Sequence, residues 1–85
     1  MVYSYFDEKY RLQKEEGKQM ISEIRRVITD WNNDTIELRE IMKGINIGAW
    51  DTFLLLAGID YLRRKNELKL IKKGKITQGD VLKIL

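Results

Sequence analysis

The chain has no histidine and no cysteine, which removes most of the side chains that do chemistry near neutral pH. Without histidine there is no imidazole to act as general base and no nitrogen ligand for a catalytic zinc. Without cysteine there is no thiolate nucleophile, thiolate metal site or disulfide. A serine nucleophile would have to be Ser4 or Ser22, and neither has an obvious base partner. Gly74-Lys75-Ile76-Thr77 has the glycine-lysine pair of a phosphate-binding loop. That loop also needs a glycine five residues ahead and a serine or threonine directly after the lysine, and here Lys69 and Ile76 occupy those places. Glu37 and Glu40 lie one helical turn apart and could chelate a metal or pair as acid and base, but two exposed glutamates on a helix ordinarily do neither. Asp7-Glu8 and Glu15-Glu16 read as solvated surface. The expectation is a protein with no catalytic residue, cofactor, metal or small-molecule substrate, which works by binding.

The residues best suited to binding are basic. Residues 1–44 carry eight basic and nine acidic side chains, whereas residues 45–85 carry eight basic and four acidic. Seven of those eight lie between Arg63 and Lys75, opposed there only by Glu67. Such a cluster suits phosphate or an acidic protein face, or it is simply a solvated, lysine-rich surface. The candidate phosphate contacts are Arg63, Arg64, Lys72, Lys73 and Lys75.

These residues need a scaffold. With 85 residues, 44% hydrophobic and 34% charged, the chain fits one modest core. No repeat, low-complexity tract or proline-rich linker divides it, so it reads as a single domain, 1–85. Tyr3, Phe6 and Tyr10, with Leu12 nearby, sit at helical spacing in a helical extension over 1–17. Their side chains could pack on the domain's own core or dock on another subunit. The core spans 18–85. Met20, Ile24, Val27, Ile28 and Trp31 form the buried stripe of a first helix, Lys18 to Trp31. Asn32-Asn33 breaks it, and Asp34-Thr35-Ile36-Glu37 reads as a capping box. A second helix then buries Leu38, Ile41, Met42 and Ile45, with Gly44 as a left-handed stop. After a connector from Gly44 to Gly48, a third helix runs from about Ala49 to Lys65, ended by Asn66, which tolerates the left-handed conformation. Leu68-Lys69-Leu70 alternates as a strand, Lys72-Lys73-Gly74-Lys75 forms a basic turn, and Ile76 opens the return. The tail, Thr77 to Leu85, is either a helix capped by Thr77 or Asp80 or a strand with Leu82 and Ile84 on one face.

The expected fold is therefore mostly α with a small β-hairpin: three helices followed by a basic wing, the order of a winged helix-turn-helix domain. No apolar run approaches the roughly 18 residues of a membrane span, and the start MVYSYFDEKY does not read as a signal peptide. A cytoplasmic protein is expected.

In a DNA-reading domain of this kind the third helix turns a polar face toward base edges. Here Phe53-Leu54-Leu55-Leu56-Ala57-Gly58-Ile59 has no polar side chain. With Asp51, Leu55, Ile59 and Leu62 facing inward, Phe53, Leu56, Ala57 and Tyr61 fall on other sides of the helix. Phe53, Leu56 and Tyr61, helped by Tyr3 and Phe6, are the candidate docking surface for a partner or a second copy. Asp60 would turn a negative charge toward DNA.

The run LLAGIDYLRRKNELKLIKKGKI, Leu55 to Ile76, resembles a segment of two related families. One is the C-terminal winged helix of prokaryotic kleisins, with Ala57 and Asp60 in matching places and Gly79-Asp80-Val81 similar to its glycine-aspartate-isoleucine ending. The other is the small middle component of ABC-three-component, Lamassu-like anti-phage systems, which Ile59-Asp60-Tyr61-Leu62, Leu68-Lys69-Leu70 and Gly74-Lys75-Ile76 resemble. Arg63, Arg64 and Lys65 depart from the apolar continuation of the latter helix, and Asn66 from its glycine. Both resemblances imply a non-catalytic winged-helix subunit that docks on an SMC-like or ABC-type ATPase in a DNA-engaging complex. A small, dimeric DNA-binding transcription regulator is the alternative.

Overall fold

The computed structural model describes residues 14–46, 48, 50–74 and 79–85. Their elements run α1 (Glu15–Asp30), β1 (Thr35–Glu37), α2 (Leu38–Gly44), α3 (Thr52–Arg64), β2 (Leu68–Lys72) and β3 (Val81–Ile84). Three helices thus share one core with a small antiparallel sheet of strand order β1-β3-β2. Some of the expected positions fall outside this set: Tyr3, Phe6, Tyr10, Leu12, Lys75, Ile76 and Thr77 are not among the described residues.

Helix α1 buries Gly17, Met20, Ile21, Ile24, Val27 and Ile28, the stripe that apolar spacing predicts. It begins at Glu15, so Glu15–Gly17 belong to this helix and not to a separate extension. Trp31 lies just past its end in extended backbone, and its indole N–H donates to the Thr35 carbonyl at 2.8 Å. That bond ties the end of α1 to β1.

The expected capping box does not form. Thr35–Glu37 is a strand, and Glu37 precedes α2 without a side-chain cap. Ile36, 2% exposed, sits opposite Leu82 in the sheet, and burial of that side chain between β3 and the helices outweighs a local cap. The Leu38 N–H donates to the Asp80 carbonyl at 2.9 Å, and Asp34 offers its carbonyl to Ile84. Both backbone groups are thus claimed by the last strand or the residue just before it.

Gly44 is not a left-handed stop either, because no described glycine has a positive φ. It is the final residue of α2, and a Cβ there would lie 2.7 Å from Val27 Cγ2. Closeness to α1 is what this position requires. Asn66 does adopt the left-handed conformation, with φ 61°, and turns the chain from α3 into β2.

Asp51 is the N-cap of α3, its carboxyl accepting from the Leu54 N–H at 2.8 Å. The helix therefore starts at Thr52 and not near Ala49. Leu54, Leu55, Ala57, Gly58, Ile59 and Leu62 face the core. At Gly58 a Cβ would come within 2.8 Å of Ile24 Cδ1, so the absent side chain sets the approach of α3 to α1. The tail is a strand: Leu82 lies opposite both Ile36 and Leu70, and Ile84 opposite Leu68.

Candidate functional site

The side of α3 away from the core carries Thr52, Phe53, Leu56, Asp60, Arg63 and Arg64, each exposed or half-buried. By the 100° step per residue these six fall within about 120° of arc. The N-terminal half of the stripe is apolar, with Phe53 50% exposed and Leu56 leaning partly on the core. The C-terminal half is charged: Asp60 and Arg64 form an i,i+4 ion pair at 2.8 Å. Asp60 is thus matched by an arginine of its own helix.

Ala57, expected to face away from the core, is buried, 6% exposed, and one expected docking residue lies elsewhere on the helix. Tyr61 is about 140° around the helix from Leu56, packs partly against the core, and has the Lys65 ammonium 5.6 Å from its ring centroid. The structure therefore brings Phe53 and Leu56 together but sets Tyr61 apart. Tyr3 and Phe6 are outside the described residues.

Among the basic residues, Arg63, Lys72 and Lys73 are exposed. Lys72 ends β2, and Lys73 and Gly74 follow it. The two ends of the β2–β3 connection are held together. The Gly74 N–H donates to the Asp80 carboxyl at 2.9 Å, and a Cβ on Gly74 would stand only 2.5 Å from the Gly79 carbonyl carbon. Two glycines allow this backbone contact, and Asp80, 8% exposed, binds the incoming strand to the outgoing one. Asp80 thus ties the end of the β2 segment to the start of β3 and is not a helix cap. The expectation assigned it no role in holding the lysines, although an acid flanked by Gly79 and Val81 opposite a glycine is the signal that would have found it.

An open groove beside the end of α3 and β2 is lined by Asp60, Arg63, Arg64, Asn66, Lys69 and Leu85, among others. Next to it, Glu67 receives both Nε and Nη2 of Arg25, at 3.0 and 2.7 Å. This fork-like pair holds the Glu67 carboxyl below its ordinary range. On the far side of α1, Glu23 accepts two bonds from Arg26 and one from the Asn46 N–H, while Arg26 also reaches the Gly44 carbonyl at 2.6 Å. The Arg26 and Asn46 bonds lower the Glu23 pKa. These carboxylates are occupied in joining elements to one another. Among the described residues no group of three or more acidic side chains is placed to hold a metal, and no helix is long and apolar enough to cross a membrane.

The arrangement presents an apolar patch at the start of α3 and a basic surface from its end onto β2 and the turn. No family model, curated protein or solved structure matches this chain.

Proposed function

We propose that this chain is a winged-helix interaction subunit, without catalysis of its own, that docks on an SMC-like or ABC-type ATPase in a DNA-engaging complex of the cytoplasm, of the anti-phage kind. The element order and the β1-β3-β2 sheet are compatible with a winged helix whose wing is the β2–β3 connection. The partner class follows from the resemblance of the Leu55–Ile76 segment.

The observation that carries this reading is the composition of the outward stripe of α3. A base-reading helix offers hydrogen-bond donors and acceptors along its exposed face. This one offers Thr52, Phe53 and Leu56, then an Asp60–Arg64 pair beside Arg63, so its N-terminal half is largely apolar. Apolar side chains on a helix face suit a hydrophobic groove of a partner. Arg63, Arg64, Lys72, Lys73 and Lys75 supply charge for phosphates, which position a protein on a duplex without reading its sequence.

The second reading, a small dimeric DNA-binding regulator, is favoured by one observation: the basic side chains Lys72 and Lys73 are exposed at the end of β2, where Gly74, Gly79 and Asp80 hold the approaches to β2 and β3 together. Selection from a pool of random duplexes at physiological salt separates the two. The docking reading expects retention that is weak and enriches no motif. Recovery of one short operator would overturn it in favour of the regulator.

A further inference from the structure

The outer face of the sheet holds two lysines that the residues near the wing do not include. Lys69 of β2 stands directly opposite Lys83 of β3, and both are exposed. Thr35 completes this row on β1. Like charges directly opposite on neighbouring strands destabilise a sheet, so this pair calls for a counter-charge.

Three of the four acids around it are already engaged. Glu67, two residues before Lys69 and just ahead of β2, is held by Arg25. Glu37, two residues after Thr35, pairs with Arg39, and Asp60 across the groove pairs with Arg64. Asp34 precedes Thr35 and forms no salt bridge among the described residues. In that same set, none of Arg63, Lys69, Lys72, Lys73 and Lys83 takes part in a salt bridge. Arg63 and Lys69 line one open groove, Lys83 adjoins Lys69 across the sheet, and Lys72 at the end of β2 is followed by Lys73. These basic side chains thus occupy neighbouring elements from the end of α3 across the sheet to Lys73, with the exposed Ile71 among them.

We infer that Lys69 and Lys83 form a second pair of phosphate contacts, so that the outer face of the sheet, and not the turn alone, lies along the backbone of duplex DNA. The geometry fits a regularly charged polymer. Neighbouring strands lie about 4.8 Å apart, and Lys69 to Lys72 spans about 10 Å of strand. A duplex presents a phosphate about every 3.4 Å of its axis on each strand, so several phosphates pass this face at once. An isolated anion would satisfy only one or two of the lysines. The inference rests on the phosphate-contact part of the proposed function and is independent of docking by Phe53 and Leu56.

The test is fluorescence anisotropy of the full chain with a random-sequence 20-base-pair duplex across a salt series. Lys69→Gln with Lys83→Gln is expected to lower the slope of log affinity against log salt by about 2, since each phosphate contact contributes about 0.9. Lys69→Arg with Lys83→Arg should keep the wild-type slope, which a merely structural role would not ensure. The melting temperature of the glutamine pair should match or exceed that of wild type, because the opposed charges are gone. A slope unchanged in the glutamine pair but reduced in Arg63→Gln/Lys72→Gln/Lys73→Gln would overturn this inference and leave the phosphate-contact reading standing. Absence of duplex binding by wild type would overturn both. Tighter binding of poly-glutamate than of duplex would overturn the inference by assigning the face to an acidic protein.

Discussion

Replacing Gly58 by alanine puts a methyl group between α1 and α3, and its effect can be worked from two opposing terms. The new Cβ would stand 2.8 Å from Ile24 Cδ1 and 3.4 Å from Met20 Cγ. Ordinary carbon contacts begin near 3.5 Å, so Ile24 must withdraw by more than half an ångström. Ile24 and Met20 are both 0% exposed, and neither can retreat into solvent. Overpacking of this kind costs about 1–3 kcal/mol. Alanine's better helix propensity returns about 1 kcal/mol, leaving a net destabilisation of about 0–2 kcal/mol. Ile24→Val removes the Cδ1 atom that the methyl strikes, at a cost of about 0.5–1.5 kcal/mol alone. In the double variant the clash is gone, so Gly58→Ala should become neutral or stabilising. Urea melts of the four proteins should therefore give a coupling energy of about 1 kcal/mol or more between the two sites, well above the 0.3–0.5 kcal/mol scatter of independent sites. A 1 kcal/mol change corresponds to about 4–8 °C in Tm for a domain of this size. Additive effects of the two substitutions would refute the idea that Gly58 is there to let α3 approach Ile24.

Three further outcomes follow from the core, the turn and the ion pairs. Leu62, 0% exposed at the end of α3, should lose about 2–5 kcal/mol on replacement by alanine; an equilibrium melt showing less than about 0.5 kcal/mol would mean the helix is rotated from its described position. Asp80→Ala strips the Gly74 N–H of its acceptor and should cost about 1–3 kcal/mol, with faster hydrogen exchange at Gly74; an unchanged exchange rate would show that the turn holds without this bond. Arg25 keeps the Glu67 carboxyl below its ordinary value of 4.5. The stability it contributes is therefore present above that value and lost as pH falls through the depressed one. The pair is largely solvent-facing, so the contribution is below about 1 kcal/mol, and Glu67→Gln should show a shallower loss of stability between pH 5 and pH 3. A wild-type curve with the same acid slope as Glu67→Gln would remove the pairing from the explanation.

The parts of the fold that were legible in the sequence are those where one local signal and the tertiary environment agree. The apolar spacing of Met20, Ile24, Val27 and Ile28 placed α1, and Asn66 marked the end of α3 because few other residues accept its φ. The alternation of Leu68, Lys69 and Leu70 placed β2. Where a local signal competed with a long-range one, the long-range one prevailed. Asp34-Thr35-Ile36-Glu37 has the residues of a capping box, but Leu82, forty-six positions after Ile36 in sequence, draws Ile36 into the sheet. Gly44 and Gly58 looked like a stop and a small residue in an apolar run; their reason is an approach to Val27 and Ile24 that no local pattern encodes. The candidate site divides in the same way. Arg63, Lys72 and Lys73 were visible as a cluster along the chain. Lys83 was not, because it joins Lys69 only through strand pairing. Tyr61 appeared to belong with Phe53 and Leu56 on composition, and the helix rotation set by Leu54, Leu55 and Leu62 separates them.

The proposed docking through the outward stripe of α3 is tested most directly by titrating the purified chain into a purified SMC-like ATPase, the proposed partner class, and repeating the titration with Phe53→Glu/Leu56→Glu. Both side chains lie at least partly outside the core, so the variant should melt close to wild type. Docking through this stripe predicts a saturable complex for wild type and at least a hundredfold weaker association for the variant, about 2.7 kcal/mol by the affinity relation. Equal affinity of the two proteins, with the variant fully folded, would contradict docking through Phe53 and Leu56.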